Sequence, residues 1–198
     1  MLSLARRSEA TLRIKGSRFL AFALPVDSED QARREIEAFE TSYPDASHCC
    51  LAYRVSTPAA GVERSSDAGE PAGSAGAPIL SVLKGRSLEN VLVVVVRYFG
   101  GVKLGVGGLV RAYRDAAIAA IDAGEILERI PTRRLEARVP LQWSGEMRSH
   151  TARLGGSILS ETYDDEARFV ISIGVDRMEE LRSRIDDLTR GAASWREA

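Results

Sequence analysis

Cysteine is nearly absent: there are two in 198 residues, and they are neighbours, Cys49 and Cys50. Adjacent cysteines do not form an ordinary bridge with each other, so no disulfide framework is available and both are expected to stay reduced thiols. Histidine is equally scarce. His48 sits beside the cysteines and His150 lies far along the chain, which leaves a Cys/His metal site short of ligands, so no metal is expected. No charge sign predominates either, with 27 basic and 28 acidic side chains and a net charge of -1. A surface that grips polyanions everywhere is thereby excluded, and any nucleic-acid site must be a local patch. No apolar run approaches the ~20 residues that cross a bilayer, so no membrane span is expected. Met1 to Arg7 has two arginines with no apolar stretch behind them, so no secretory signal is read and a cytoplasmic location is expected.

What is present is the composition of an ordinary globular protein, 44% hydrophobic and 28% charged, at a length that suits two compact domains. Leu12 and Ile14 alternate with Arg13 and Lys15, and an extended stretch follows from Arg18 to Pro25, which predicts an opening hairpin turned at Gly16-Ser17. Ser28 with Gln31 forms a capping-box signature, and Ala32, Ile36 and Phe39 recur at helical spacing until Tyr43-Pro44. Leu51, Tyr53 and Val55 predict a half-buried strand. Thr57 to Gly76, rich in Gly, Ser, Ala and Pro, reads as a long loop. A short helix is expected from Pro78 to about Leu83, and Val91 to Val96 is a continuous apolar run of strong strand preference, expected at the centre of a sheet. A glycine-rich segment then leads to a helix from about Leu109 to Ala123, with Leu109, Tyr113, Ala117 and Ile121 on one apolar stripe.

After Pro131 the pattern restarts. Leu135, Ala137, Val139 and Leu141 alternate as a strand, and a helix from about Gly145 carries Met147, Thr151 and Leu154 inward. Two strands are then expected, around Ser157 to Tyr163 and Arg168 to Gly174. A helix with caps read at Asp176 and Glu179 and an apolar face of Met178, Leu181, Ile185 and Leu188 precedes a last strand near Ser194 to Arg196. This βαββαβ order predicts a ferredoxin-like unit, an α+β class for the whole chain, and domains at residues 1–131 and 132–198.

Two segments have the composition for chemistry. Between Arg97 and Arg114 there are four basic side chains, Arg97, Lys103, Arg111 and Arg114, and no acidic one, interleaved with Gly100, Gly101, Gly105, Gly107 and Gly108. Glycines permit close backbone approach and a helix start offers free N–H groups, so the segment suits a phosphate; the same glycines would also serve a tight packing turn. The spacing matches neither G-x-G-x-x-G nor the Walker pattern, so a nucleotide-hydrolysing machine is not indicated and no cofactor is expected. The second segment is Asp67-Ala68-Gly69-Glu70-Pro71, whose carboxylates could act as acid and base or simply be solvated. His48 next to Cys49 does not make a nucleophile pair, because neighbours on a strand point to opposite faces.

VLVVVVRYFGGVKLGVGGLVRAY, from Val91 to Tyr113, resembles the signature of the YigZ/IMPACT family. SSDAGEPAGSAGAPIL, from Ser65 to Leu80, and HCCLAYR, from His48 to Arg54, resemble two further blocks of that family in the expected order. One departure is Ala68, where the family usually has a second aspartate. The resemblance implies a first domain with the fold shared by domain IV of elongation factor G and the second domain of small-subunit ribosomal protein five. It implies a second domain like the last, ferredoxin-like domain of that factor. Eukaryotic relatives regulate translation by competing for the activator of a starvation-response kinase through an additional N-terminal domain, a mechanism not expected of this chain.

The resulting expectation is a non-enzymatic protein that binds RNA or the ribosome through Arg97 to Arg114, with no catalytic residue assigned. His48, Asp67, Gly69 and Glu70 form a possible functional loop. The rival expectations are an enzyme acting on a small phosphorylated or peptide substrate near that loop, and an adaptor for a protein partner in translation control.

Overall fold

The computed structural model describes residues 1–56 and 61–197 as two compact units, Met1–Arg129 and Ile130–Ala198. In the first unit the strands β1 (Leu2–Leu4), β2 (Ser8–Ile14), β3 (Ser17–Pro25), β4 (His48–Val55), β5 (Val62–Ser66), β6 (Val91–Tyr98) and β7 (Ile126–Glu128) accompany the helices α1 (Glu29–Ser42), α2 (Gly76–Gly85) and α3 (Val106–Asp122). Five strands form an antiparallel sheet in the order β2-β3-β6-β4-β5, and β1 pairs with β7 in a separate ribbon.

The continuous apolar run of β6 follows from cover on both faces of this sheet. Val91, Val93 and Val95 enter a core built with Ile79 and Leu83 of α2 and Leu109, Tyr113 and Ile121 of α3. Leu92, Val94 and Val96 point the other way, into a second core with Phe22, Tyr53 and the α1 residues Ala32 and Phe39. With no solvent-facing side, strict alternation has no reason to appear; each buried valine contributes about 1.5–3 kcal/mol relative to an exposed one. Helix α1 starts where its signature predicts: the Gln31 N–H donates to Ser28 Oγ at 3.1 Å, while the Gln31 amide oxygen accepts from the Asp27 N–H at 2.8 Å.

Three expectations change here. Part of the long loop, Thr57 to Ala60, lies outside the described residues, but Val62–Ser66 pairs antiparallel with β4 as an edge strand, its polar residues lying toward solvent. Helix α3 begins at Val106, three residues before the expected Leu109, because Gly107 and Gly108 are tolerated in a first turn whose N–H groups are unpaired in any case. The pairing of β1 with β7 was not expected, since three-residue strands carry no periodicity to read.

In the second unit β8 (Thr132–Pro140), α4 (Ser144–Arg153), β9 (Ser157–Tyr163), β10 (Glu166–Gly174), α5 (Met178–Thr189) and β11 (Ser194–Glu197) follow in βαββαβ order, with sheet order β11-β8-β10-β9. Leu135, Ala137 and Val139 of β8 and Phe169, Ile171 and Ile173 of β10 point to one face, where Met147 of α4 and Leu181 and Ile185 of α5 close the core. The cap expected for α5 is replaced. No side chain caps it, its N-cap position is Arg177, and Asp176 instead lies 3.5 Å from the Arg177 guanidinium.

Candidate functional site

Residues 99 to 105 carry the chain from the end of β6 to the start of α3, and a contact between two glycines sets their path. A Cβ on Gly100 would lie 1.9 Å from the Gly16 carbonyl carbon, and one on Gly16, where φ is +81°, would lie 2.8 Å from Gly100 O. The tip of the β2–β3 hairpin therefore rests directly on the glycine-rich loop, backbone against backbone. Ser17, fully buried, fastens the contact by accepting from the Gly100 N–H at 3.2 Å. This packing brings Lys15 and Arg18 of the hairpin tip to the same end of the sheet as the loop, and Arg18 stacks on the Tyr98 ring at 4.5 Å. The loop composition did not reveal this pairing, which depends on two glycines that are remote in sequence.

Beyond that contact the loop faces solvent. Gly101 and Gly105 have positive φ and open space at the Cβ position. Gly105 precedes α3 without a capping side chain, and the first turn contains no acidic residue. The N–H groups of Val106, Gly107 and Gly108 lack intrahelical partners, and they lie at the positive end of a 17-residue helix. The Arg111 guanidinium stands beside that turn, with Nη1 3.8 Å from where a Gly107 Cβ would be. Lys103, Arg111 and Arg114 are exposed, and among the described residues none of them is in an ion pair. Phe99, Val102 and Val106 are exposed beside them, by 49%, 51% and 58%.

Arg97 does not belong to that surface, which corrects its place among the expected phosphate contacts. It is 5% exposed, and its Nη1 donates to Glu70 Oε1 at 2.5 Å. A residue of the central strand points either inward or outward, and this one lies beneath the loop. Gly100 likewise has a packing reason to be glycine. Tyr113 of α3 donates to the same Glu70 oxygen at 2.7 Å, and burial, followed by Cys50 and Glu70, pushes its phenol pKa upward. His48 Nε2 stands 3.8 Å from that oxygen. Its Nδ1 lies 2.9 Å from the Ala68 carbonyl, which can only accept, so Nδ1 carries the hydrogen. Glu70 thus ties β6, α3 and the loop before α2 together. Removing either member of a buried pair of this kind typically costs about 3–5 kcal/mol.

Asp67 is equally engaged. Its carboxylate accepts from the N–H groups of Gly73 at 2.8 Å, Ala75 at 2.9 Å and Gly76 at 2.8 Å, so it shapes the turn into α2. Burial acts to raise its pKa, and the three N–H groups outweigh that and hold it below the ordinary carboxylate value. Gly69 has φ +84°, and a Cβ there would meet the His48 ring only at ordinary contact distance, 3.5 Å from Nδ1, so the backbone conformation rather than crowding calls for glycine. Burial pushes the Cys49 thiol up to about 11 and the Cys50 thiol up to about 12, so both are protonated at neutral pH. Among the described residues no group of three or more His, Cys, Asp or Glu side chains is placed to hold a metal ion. In the sequence Tyr113 is one position of a helical apolar stripe, and no spacing signal marks it as a partner of Glu70.

The family described as Impact N-terminal domain matches residues 15–121. The chain is 29% identical to IMPACT family member YvyE of Bacillus subtilis over 184 residues, covering 93% of this chain and 84% of that protein. It is 29% identical to IMPACT family member YigZ of Escherichia coli over 180 residues, covering 90% and 88%. A crystal structure described only as that of a hypothetical protein superimposes with a TM-score of 0.78 at 27% identity, covering 100% of this chain and 96% of the other.

Proposed function

The chain belongs to the IMPACT family, and from that premise we propose that it is a non-enzymatic binding protein linked to translation, docking RNA or the ribosome through the glycine-rich loop and the start of α3. The observation that carries this reading is the uncapped, acid-free first turn of α3, surrounded by the exposed and unpaired Lys103, Arg111 and Arg114. Lys15 and Arg18, delivered by the Gly16–Gly100 contact, widen the same basic surface. Phe99 offers an exposed ring on which an unstacked base can rest. We read the first unit as sharing its fold with domain IV of elongation factor G and the second domain of small-subunit ribosomal protein five. We read the second as ferredoxin-like, which fits a protein of the translation apparatus. The enzymatic alternative has less to work with, because Asp67 is committed to three backbone N–H groups and Glu70 to Arg97 and Tyr113.

The test is a salt titration of binding to oligouridylate and to purified ribosomes. The variant Lys103→Ala/Arg111→Ala/Arg114→Ala is expected to bind more weakly, with a slope of log affinity against log salt shallower by about one unit per lost phosphate contact. The helix should persist, since Leu109, Ala112, Tyr113 and Ala116 still bury its other face. Wild-type affinity and slope in this variant would leave the loop as a packing turn alone.

A further inference from the structure

The second unit presents a sheet face that its helices do not cover, and the strand register arranges that face in rows. Residues that alternate with the core positions of β8 and β10 point away from α4 and α5. One row reads Ser194, Arg138, Arg168, Thr162 across β11, β8, β10 and β9, and the next reads Arg196, Glu136, Val170, Ser160. Arg134 extends the face along β8, opposite Ser172. From this arrangement we infer that the open sheet face of the second unit is a binding surface for single-stranded RNA, separate from the loop surface of the first unit and not dependent on that reading.

Two like charges directly opposite each other on neighbouring strands repel, and Arg138 and Arg168 occupy such a position. Glu136 relieves the repulsion from two residues along β8. Its Oε1 lies 3.4 Å from Arg138 Nη2 and 3.8 Å from Arg168 Nε. One carboxylate thereby offsets the repulsion between two guanidiniums while engaging only a fraction of their N–H donors. The side chains of Arg138 and Arg168 remain 41% and 49% exposed. Arg134 and Arg196 flank them, are exposed, and make no ion pair among the described residues. Besides Glu136 the face carries one acidic residue, the exposed Glu166 at its margin opposite Pro140, against four arginines, while α5 on the covered side opens with Glu179 and Glu180 and carries Asp186 and Asp187 near its end. The face therefore pairs exposed guanidinium forks, which match phosphate oxygens two at a time, with hydroxyls at its margins. It lacks the large apolar area that a protein partner would bury.

The experiment measures binding of the full chain to fluorescent oligouridylate across a salt series. Two sheet variants, Arg134→Gln/Arg196→Gln and the same pair with Arg138→Gln/Arg168→Gln, are compared with the loop variant described above. The double variant removes only unpaired charges and so keeps the test valid if the quadruple one folds poorly, which thermal unfolding would reveal. The double variant is expected to lower affinity at least tenfold at low salt and the slope by about two units, at about one per contact. Wild-type affinity and slope in the double variant would overturn the inference, as would equally tight binding of poly-L-glutamate by the wild type. An effect in the sheet variants alone supports this inference and removes the loop reading. An effect in the loop variant alone does the reverse.

Discussion

At the scale of single residues, the chemistry of this protein is set by whether a side chain is already engaged. Cys49 and Cys50 have thiol pKa values of about 11 and about 12 against 9.0 ordinarily, chiefly through burial, so folding favours their protonated form. The sign follows directly: the contribution is fully present below pH 9, where both states are protonated. It is lost as pH rises toward 11 and 12, because the unfolded chain releases its protons first. Urea unfolding from pH 8 upward should show an alkaline loss of stability that is smaller in Cys49→Ala/Cys50→Ala, while RNA binding at neutral pH stays unchanged; a loss of binding in the folded variant would restore a role for the thiols. Ala68 occupies the left-handed region at φ +44° and is exposed, its N–H bonded to Ser66 Oγ and its carbonyl to His48. Asparagine and aspartate tolerate that region better than alanine does. Replacing the aspartate usual in the resembling family therefore removes a backbone preference and no contact seen here. Ala68→Asn is expected to stabilise by about 0.5–1 kcal/mol, read as a higher urea midpoint at unchanged slope.

At the scale of elements, the glycines of the loop divide into those that touch backbone and those that face solvent. Gly100→Ala would drive a methyl group into the Gly16 carbonyl, so the hairpin must lift from the loop. Stability is expected to fall by several kcal/mol, about the range of overpacked backbone contacts, and the surface contributed by Lys15 and Arg18 to separate from that of Lys103. Gly107→Ala is its counterpart. The position lies in the first turn of α3 with only the Arg111 guanidinium near, so this change is expected to stabilise by up to about 1 kcal/mol through helix propensity. Thermal unfolding of the two variants, side by side, decides the matter; equal effects would mean that Gly16 and Gly100 do not meet in solution. The start of α3 shows how much of the site was legible. Glycines, basic residues and a following apolar stripe marked a strand-to-helix junction with a positive end, but the inward turn of Arg97 toward Glu70 and Tyr113 has no local signature, because its partners come from two other segments.

At the scale of the whole molecule, the two units are expected to come apart at the connection between β7 and β8. Trypsin should cut first after Arg129, ahead of the many arginines held in strands and helices, and leave a fragment beginning at Ile130, identified by mass. First cleavage within β6 or β10 would contradict the division. No helix among the described residues is long and apolar enough to cross a membrane. The sequence by itself determined the longer helices and strands, the central position of Val91 to Val96 and the βαββαβ pattern after Pro131, because hydrophobic period and turn residues act over a few neighbours. Only the tertiary structure decided that Val62–Ser66 is an edge strand, that Gly16 meets Gly100, that Asp67 and Glu70 are bound to the scaffold, and that Arg138 faces Arg168 across the open sheet. Each of these depends on which distant segments become neighbours, and that is set by packing and strand register over the whole unit, which no local stretch encodes.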